Sequence, residues 1–79
     1  MKSLNQVDIG QTIKISKIYG EGPIKRRIMD LGITRGTEVF VRKVAPLGDP
    51  MQISLRGYEL TIRKDDARNI LVEDLWPIL

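Results

Sequence analysis

The chain has 79 residues, 13 Lys and Arg against 10 Asp and Glu, a net charge of +3, and neither cysteine nor histidine. That length sets one small domain, able to bury roughly 60–65% of its unfolded surface. Disulfides and thiolate metal sites are excluded, and with no imidazole the usual general base and the commonest soft-metal ligand are missing as well.

The stretch from Met1 to Gly10 carries a lysine but no apolar core of signal-peptide length. No apolar run approaches the roughly 20 residues of a membrane span. These features set the expectation of a soluble, cytoplasmic protein with no membrane insertion. The acids are interspersed among the bases, so a mixed, solvated surface is the simplest reading of the charge. The aromatics, Tyr19, Phe40, Tyr58 and Trp76, form no interleaved stacking platform, so nucleic acid is not an expected partner.

In chain order, Ser3 is placed to cap a short helical turn before Gly10, with Leu4, Val7 and Ile9 tucked under a sheet. Thr12 to Ile18 reads as a strand. Ile13 and Ile15 alternate, Ile18 falls out of phase, and a bulge near Ser16 and Lys17 would restore it. A helix follows: Gly22 at the N-cap, Pro23 at the first helical position and Gly32 as the stop. Ile24, Ile28 and Leu31 form its apolar stripe. At about three turns it is too short to stand alone and must dock on the sheet. Lys25, Arg26 and Arg27 crowd its first turn, where the helix dipole disfavours cations. Thr34 to Thr37 is a turn, and Glu38 to Val44 repeats the bent-strand pattern, with Val39 and Val41 in phase and Val44 out.

Ala45 to Pro50 is dense in turn formers and reads as a loop with Leu47 at its apolar tip. The hairpin beyond it takes Gly57 and Tyr58 as the central residues of a type II′ turn. Leu55 then faces Leu60, Ile53 faces Ile62, Ser54 faces Thr61, Gln52 faces Arg63 and Arg56 faces Glu59. Lys64 to Ala67 is a helical turn, and Asn69 to Val72 is a last strand with Ile70 and Val72 inward. Residues 1–72 form the domain and residues 73–79 an apolar C-terminal tail. The pattern is mainly β: a small SH3-like β-barrel of about five strands, with one inserted α-helix and a short helical turn before the last strand. Closing the barrel would remove exposed edges.

Catalytic chemistry is hard to build from this inventory. Asp65 and Asp66 are adjacent and sit where a helix N-terminus favours acids, which is not the arrangement of a carboxylate dyad. Neither a P-loop nor a dinucleotide fingerprint is present, and the chain reads as no enzyme. The only metal donors are carboxylates without calcium-loop spacing, whereas ferrous iron favours some imidazole or sulfur. No cofactor is expected. A weak divalent-metal site on surface carboxylates is the most the sequence supports.

Three segments occur in an informative order and spacing: Lys25 to Ile33 followed by Gly36-Thr37, the loop Ala45 to Pro50, and Arg56 to Lys64 with Ala67. Together they resemble the ferrous iron transport protein A family, FeoA, from Leu4 to about Val72. The resemblance implies an SH3-like barrel in the bacterial cytoplasm, acting by protein–protein contact on the cytoplasmic side of the membrane ferrous-iron transporter FeoB, as a regulator or assembly factor. The same module resembles the C-terminal domain of iron-dependent repressors and is often linked with transition-metal binding. The alternative is therefore a nucleic-acid-binding or metal-dependent-repressor-type SH3-like regulatory module. On the leading reading the partner-binding residues are Lys25, Arg26, Arg27 and Met29 on the helix, Leu47 at the loop tip and Trp76 in the tail. A solvated helix face, with Arg26 reaching Asp30, is the plain alternative. The tail packs on its own barrel or, in trans, makes a homo-oligomer with Trp76 as the hot spot.

Overall fold

Short β-branched runs separated by glycine-marked turns can bury their aliphatic faces only by curling together. The computed structural model describes residues 2–20 and 22–74. Its elements are β1 (Lys2–Ser3), a 3-10 turn (Leu4–Gln6), β2 (Thr12–Ile18), α1 (Pro23–Asp30), β3 (Glu38–Val44), β4 (Met51–Leu55), β5 (Tyr58–Ile62), α2 (Lys64–Ala67) and β6 (Ile70–Asp74). All strands belong to one antiparallel sheet in the order β1-β6-β2-β3-β4-β5. β1 is an addition to the expected strands: Lys2 pairs with Val72 and Ser3 with Leu71. β6 continues past the expected Val72, because Glu73 and Asp74 pair with Lys14 and Ile13. The expected closure is not made by backbone pairing among the described residues. β1 and β5 remain the two edges, and the 3-10 turn packs against α2 and β6.

Both expected bends are present. The β2–β6 register shifts between Ile15 and Lys17, and the β3–β4 register between Val41 and Lys43. Each bulge inserts a residue, turns the strand and brings a later aliphatic side chain back to the core side. Ile13, Ile15 and Ile18 are all buried on β2, as are Val39 and Val41 on β3. Ile28, Ile33, Met51, Ile53, Ile62, Ile70 and Val72 complete an aliphatic core, with Leu4 and Val7 beneath it. The 3-10 turn is held by the Ser3 amide donating to Gln6 Oε1 at 3.0 Å. Ile9 does not join the core: it is 59% exposed, in the turn between Asp8 and Gln11.

The hairpin has the expected faces and a different register. Leu55 pairs with Tyr58, Ile53 with Leu60 and Met51 with Ile62. The central turn residues are Arg56 and Gly57, at φ 49° and 83°, the combination of positive φ values that a type I′ turn requires. Relative to the expected frame the pairing slips by two residues, which changes partners but leaves every side chain on its face. Ser54 therefore meets Glu59, and Gln52 meets Thr61. Glu59 takes its ion pair from Arg42 at 2.9 Å, not from Arg56. Tertiary contacts select this register. Arg56 donates to the Thr37 and Thr34 hydroxyls at 3.1 and 3.3 Å, and Tyr58, freed from the turn, donates its hydroxyl to the Leu31 carbonyl at 2.5 Å.

Gly32 lies under that hydroxyl. Its φ of +92° is in the left-handed region, and a Cβ there would collide with the Tyr58 oxygen, the ring carbon behind it being 3.7 Å away. Gly32→Ala is expected to cost more in the parent than in a Tyr58→Phe background, where only the backbone strain remains. A double-mutant cycle by urea denaturation should show a coupling of about 1 kcal/mol or more. Equal costs in the two backgrounds would show that the hydroxyl does not restrict this position.

Candidate functional site

Helix α1 begins where the sequence places it, with Gly22 at the N-cap and Pro23 at the first helical position, but it docks more lightly than its stripe implies. Only Ile28 of the helix is buried. Ile24 is 45% exposed, and Leu31, just past the C-terminus, packs partly against the core. Two polar clasps supplement Ile28. Tyr58 of β5 holds the Leu31 carbonyl, and Arg27 pairs with Asp66 of α2 at 2.5 Å. Arg27 lies in the last turn of α1 and not in the expected first turn, so the helix dipole favours its charge, and it pairs with Asp66, whose side chain is 12% exposed.

All of α1 except Ile28 is exposed: Pro23, Ile24, Lys25, Arg26, Arg27, Met29 and Asp30. Lys25, Arg26 and Met29, expected to meet a partner, thus share one open surface. Arg27 is committed to its internal ion pair, and the described ion pairs do not include Arg26 with Asp30. Leu47 is 91% exposed at its loop tip. The depressions lined by Lys25 and Met29 contain no residue of the Ala45–Pro50 loop, which borders a separate hollow with Lys43 and Thr61. Trp76 lies outside the described residues. Lys17, Tyr19, Arg35 and Leu71, which no sequence motif marked, line the same depression as Lys25 and Met29. The signal for them was the bulge at Ser16, which turns the end of β2 toward the helix.

The carboxylates do not converge on a metal site. Asp66 faces Arg27, Asp65 faces Arg68, and Glu59 is shared by Arg42 and Gln52. Asp49 accepts the Lys64 amide at 2.9 Å. Among the described residues no three of Asp and Glu lie together in a way that could hold an ion. This donor set does not fit a tight ferrous-iron site.

A bent antiparallel sheet wrapped on an aliphatic core, with one helix between its second and third strands, defines a small SH3-like β-barrel module. The FeoA domain matches residues 2–74, and the chain belongs to the FeoA family. A FeoA-like protein from Clostridium acetobutylicum is 45% identical, with a TM-score of 0.89 over 99% of this chain and 91% of that one. The Fe(2+) transport protein A/Fe(2+) transporter FeoB fusion protein of Porphyromonas gingivalis is 31% identical over 70 residues, 89% of this chain. This chain spans only 8% of that fusion protein's length. The Stenotrophomonas maltophilia FeoA, described as a prokaryotic SH3 domain protein and complexed with zinc, shares the fold at 19% identity, with a TM-score of 0.79 over 92% of this chain and 91% of that one. No described helix is long and apolar enough to cross a membrane.

Arg27→Ala would leave the nearly buried Asp66 carboxylate without its partner and is expected to cost roughly 1–3 kcal/mol in urea denaturation. Arg26→Ala, on the open face, should stay within about 0.5 kcal/mol of the parent. Equal effects would contradict the distinct roles assigned to these neighbours. Anaerobic titration with ferrous iron should give binding weaker than micromolar. A tight one-to-one isotherm would overturn the reading of the donor set.

Proposed function

We propose that this protein is an accessory module of ferrous iron uptake that works by docking on the cytoplasmic side of a FeoB-type transporter. The observation that carries this reading is the Porphyromonas gingivalis relative, in which a segment 31% identical to this chain is part of one polypeptide with a ferrous-iron transporter. A covalent tether of this kind raises the local concentration of one module near the other to roughly millimolar, which is useful where the two work in contact. FeoA domains are accessory, transport-related modules and not a known enzyme family. The dispersed carboxylates and absent imidazole fit a role exerted through contact with a macromolecule.

The α1 face is the favoured docking surface, because Lys25, Arg26 and Met29 are exposed on it and their helix is secured from behind by Arg27 and Tyr58. Binding of the purified protein to the cytoplasmic portion of the FeoB-type transporter from the same cell, followed by calorimetry, tests the reading. Measurable one-to-one binding is expected. Lys25→Glu combined with Arg26→Glu should weaken it about tenfold while circular dichroism stays unchanged. Absence of binding under all nucleotide and iron conditions would refute the proposal.

A further inference from the structure

The depression between the end of β2 and α1 has a composition unlike the rest of the surface. It is a groove of about 620 Å³, open to solvent. Its cations come from three elements: Lys17 from β2, Lys25 from α1 and Arg35 from the turn before β3. All three are exposed, and among the described residues none is in an ion pair. No described carboxylate lines the groove; Asp30 borders the neighbouring depression, beyond Met29. The apolar lining is Ile18, Tyr19, Met29 and Leu71. Tyr19 and Met29 are 47% and 45% exposed, and Leu71 is half-buried.

Local geometry makes this arrangement definite. Leu71 pairs with Lys17 across β2 and β6, so the two side chains share one face of the sheet. The Tyr19 amide donates to the Asn69 carbonyl at 2.6 Å, and the Lys17 ammonium lies 4.9 Å from the centre of the Tyr19 ring. Arg35 is brought alongside by two backbone bonds of its turn to β2: Gly36 donates to the Ile15 carbonyl at 2.8 Å, and Ile15 donates to the Thr37 carbonyl at 2.9 Å. β3 pairs with β2 only from Thr12 to Lys14, so on that side Ser16 to Ile18 border the groove instead of β3, while Lys17 and Ile18 stay paired with Leu71 and Ile70 of β6.

These features select among anionic ligands. A single phosphate calls for donors converging on one point, whereas here the cations come from three separate elements with apolar side chains in the same lining. A nucleic-acid base calls for an open ring face, and Lys17 stands over that of Tyr19. An extended peptide uses all of the elements at once. One apolar side chain meets Tyr19, Leu71 and the adaptable thioether of Met29, and flanking carboxylates meet the cations.

We propose that this groove binds an extended acidic segment of a protein partner, seating one apolar or aromatic side chain between Tyr19, Met29 and Leu71 and carboxylates against Lys17, Lys25 and Arg35. The inference rests on the docking function proposed above and specifies the chemistry of the partner's segment.

Selection of a random short-peptide library on the full chain tests it, with Lys17→Glu/Arg35→Glu as the counter-variant. Enriched peptides should carry acids on both sides of a leucine or an aromatic residue. Their affinity should fall about tenfold or more in the double variant and decline with added salt. Met29→Ser, which removes the apolar seat without placing a charge beside the cations, should also weaken binding. Enrichment of peptides without acids, no enrichment, or binding indifferent to the charge reversal would overturn the assignment. So would a dependence on Lys17 and Arg35 seen only with vesicles containing anionic lipid. The transporter's cytoplasmic portion, measured in parallel, separates the two readings. If it binds parent and double variant equally, docking stands and the groove assignment falls. If acidic peptides bind as expected and the transporter does not, the groove stands and the transporter reading falls.

Discussion

The way α1 is fastened governs the rest of the surface. The helix commits one fully buried side chain, Ile28, to the core, and its other outward positions stay wet. A helix of eight residues has too few internal hydrogen bonds to persist by itself. Its position therefore depends on Ile28, the Arg27–Asp66 pair and the Tyr58–Leu31 bond acting together. Each comes from a different part of the chain: the core, α2 and the β4–β5 hairpin. The result is a helix held from three sides with its solvent face exposed, as the docking role proposed above requires.

The core explains why so much binding chemistry remains outside it. Every strand from β2 to β6 contributes aliphatic residues, and Tyr19, Phe40 and Tyr58 are each more than a third exposed. A barrel this narrow is filled by branched aliphatic side chains, and larger rings fit only at its rim. There Tyr58 becomes a clasp and Tyr19 part of a groove. Among the described residues four carboxylates, Asp49, Glu59, Asp65 and Asp66, are taken up by nearby bases or a backbone amide, and no three gather. The unpaired positive charge left on the α1 side is thus a product of where the acids are used.

Much of this architecture was legible in the sequence because it rests on local rules. The out-of-phase Ile18 and Val44 announced the two bulges, and Pro23 with Gly32 bounded the helix. The hairpin faces were legible because side-chain alternation survives a slip of two residues. Its register was not, since it is set by Arg56 reaching Thr34 and Thr37 and by Tyr58 reaching Leu31, contacts between segments more than 15 residues apart in sequence. The burial of Ile24 was overestimated for a related reason: a periodic stripe says which side of a helix faces inward, not how closely it approaches, while Ile9 lies in a turn whose direction no periodicity indicates. Of the site, Lys25, Arg26 and Met29 were visible as a run on one element. Lys17, Tyr19, Arg35 and Leu71 join them only because the bend at Ser16 and the turn at Gly36 bring three segments together.

The pairing of β1 with β6 has a consequence for how such a module can be joined to other chains. Lys2 lies opposite Val72, and β6 runs from Ile70 beside Ile18 to Asp74 beside Ile13. Polypeptide entering at β1 and leaving at β6 therefore passes the same end of β2, the end away from Lys17 and Tyr19. The described ends, Lys2 and Asp74, thus lie toward one end of the sheet, opposite the groove at Lys17 and Tyr19. Joining such a module covalently to a large membrane protein is then compatible with the proposed docking face still turning to meet that protein.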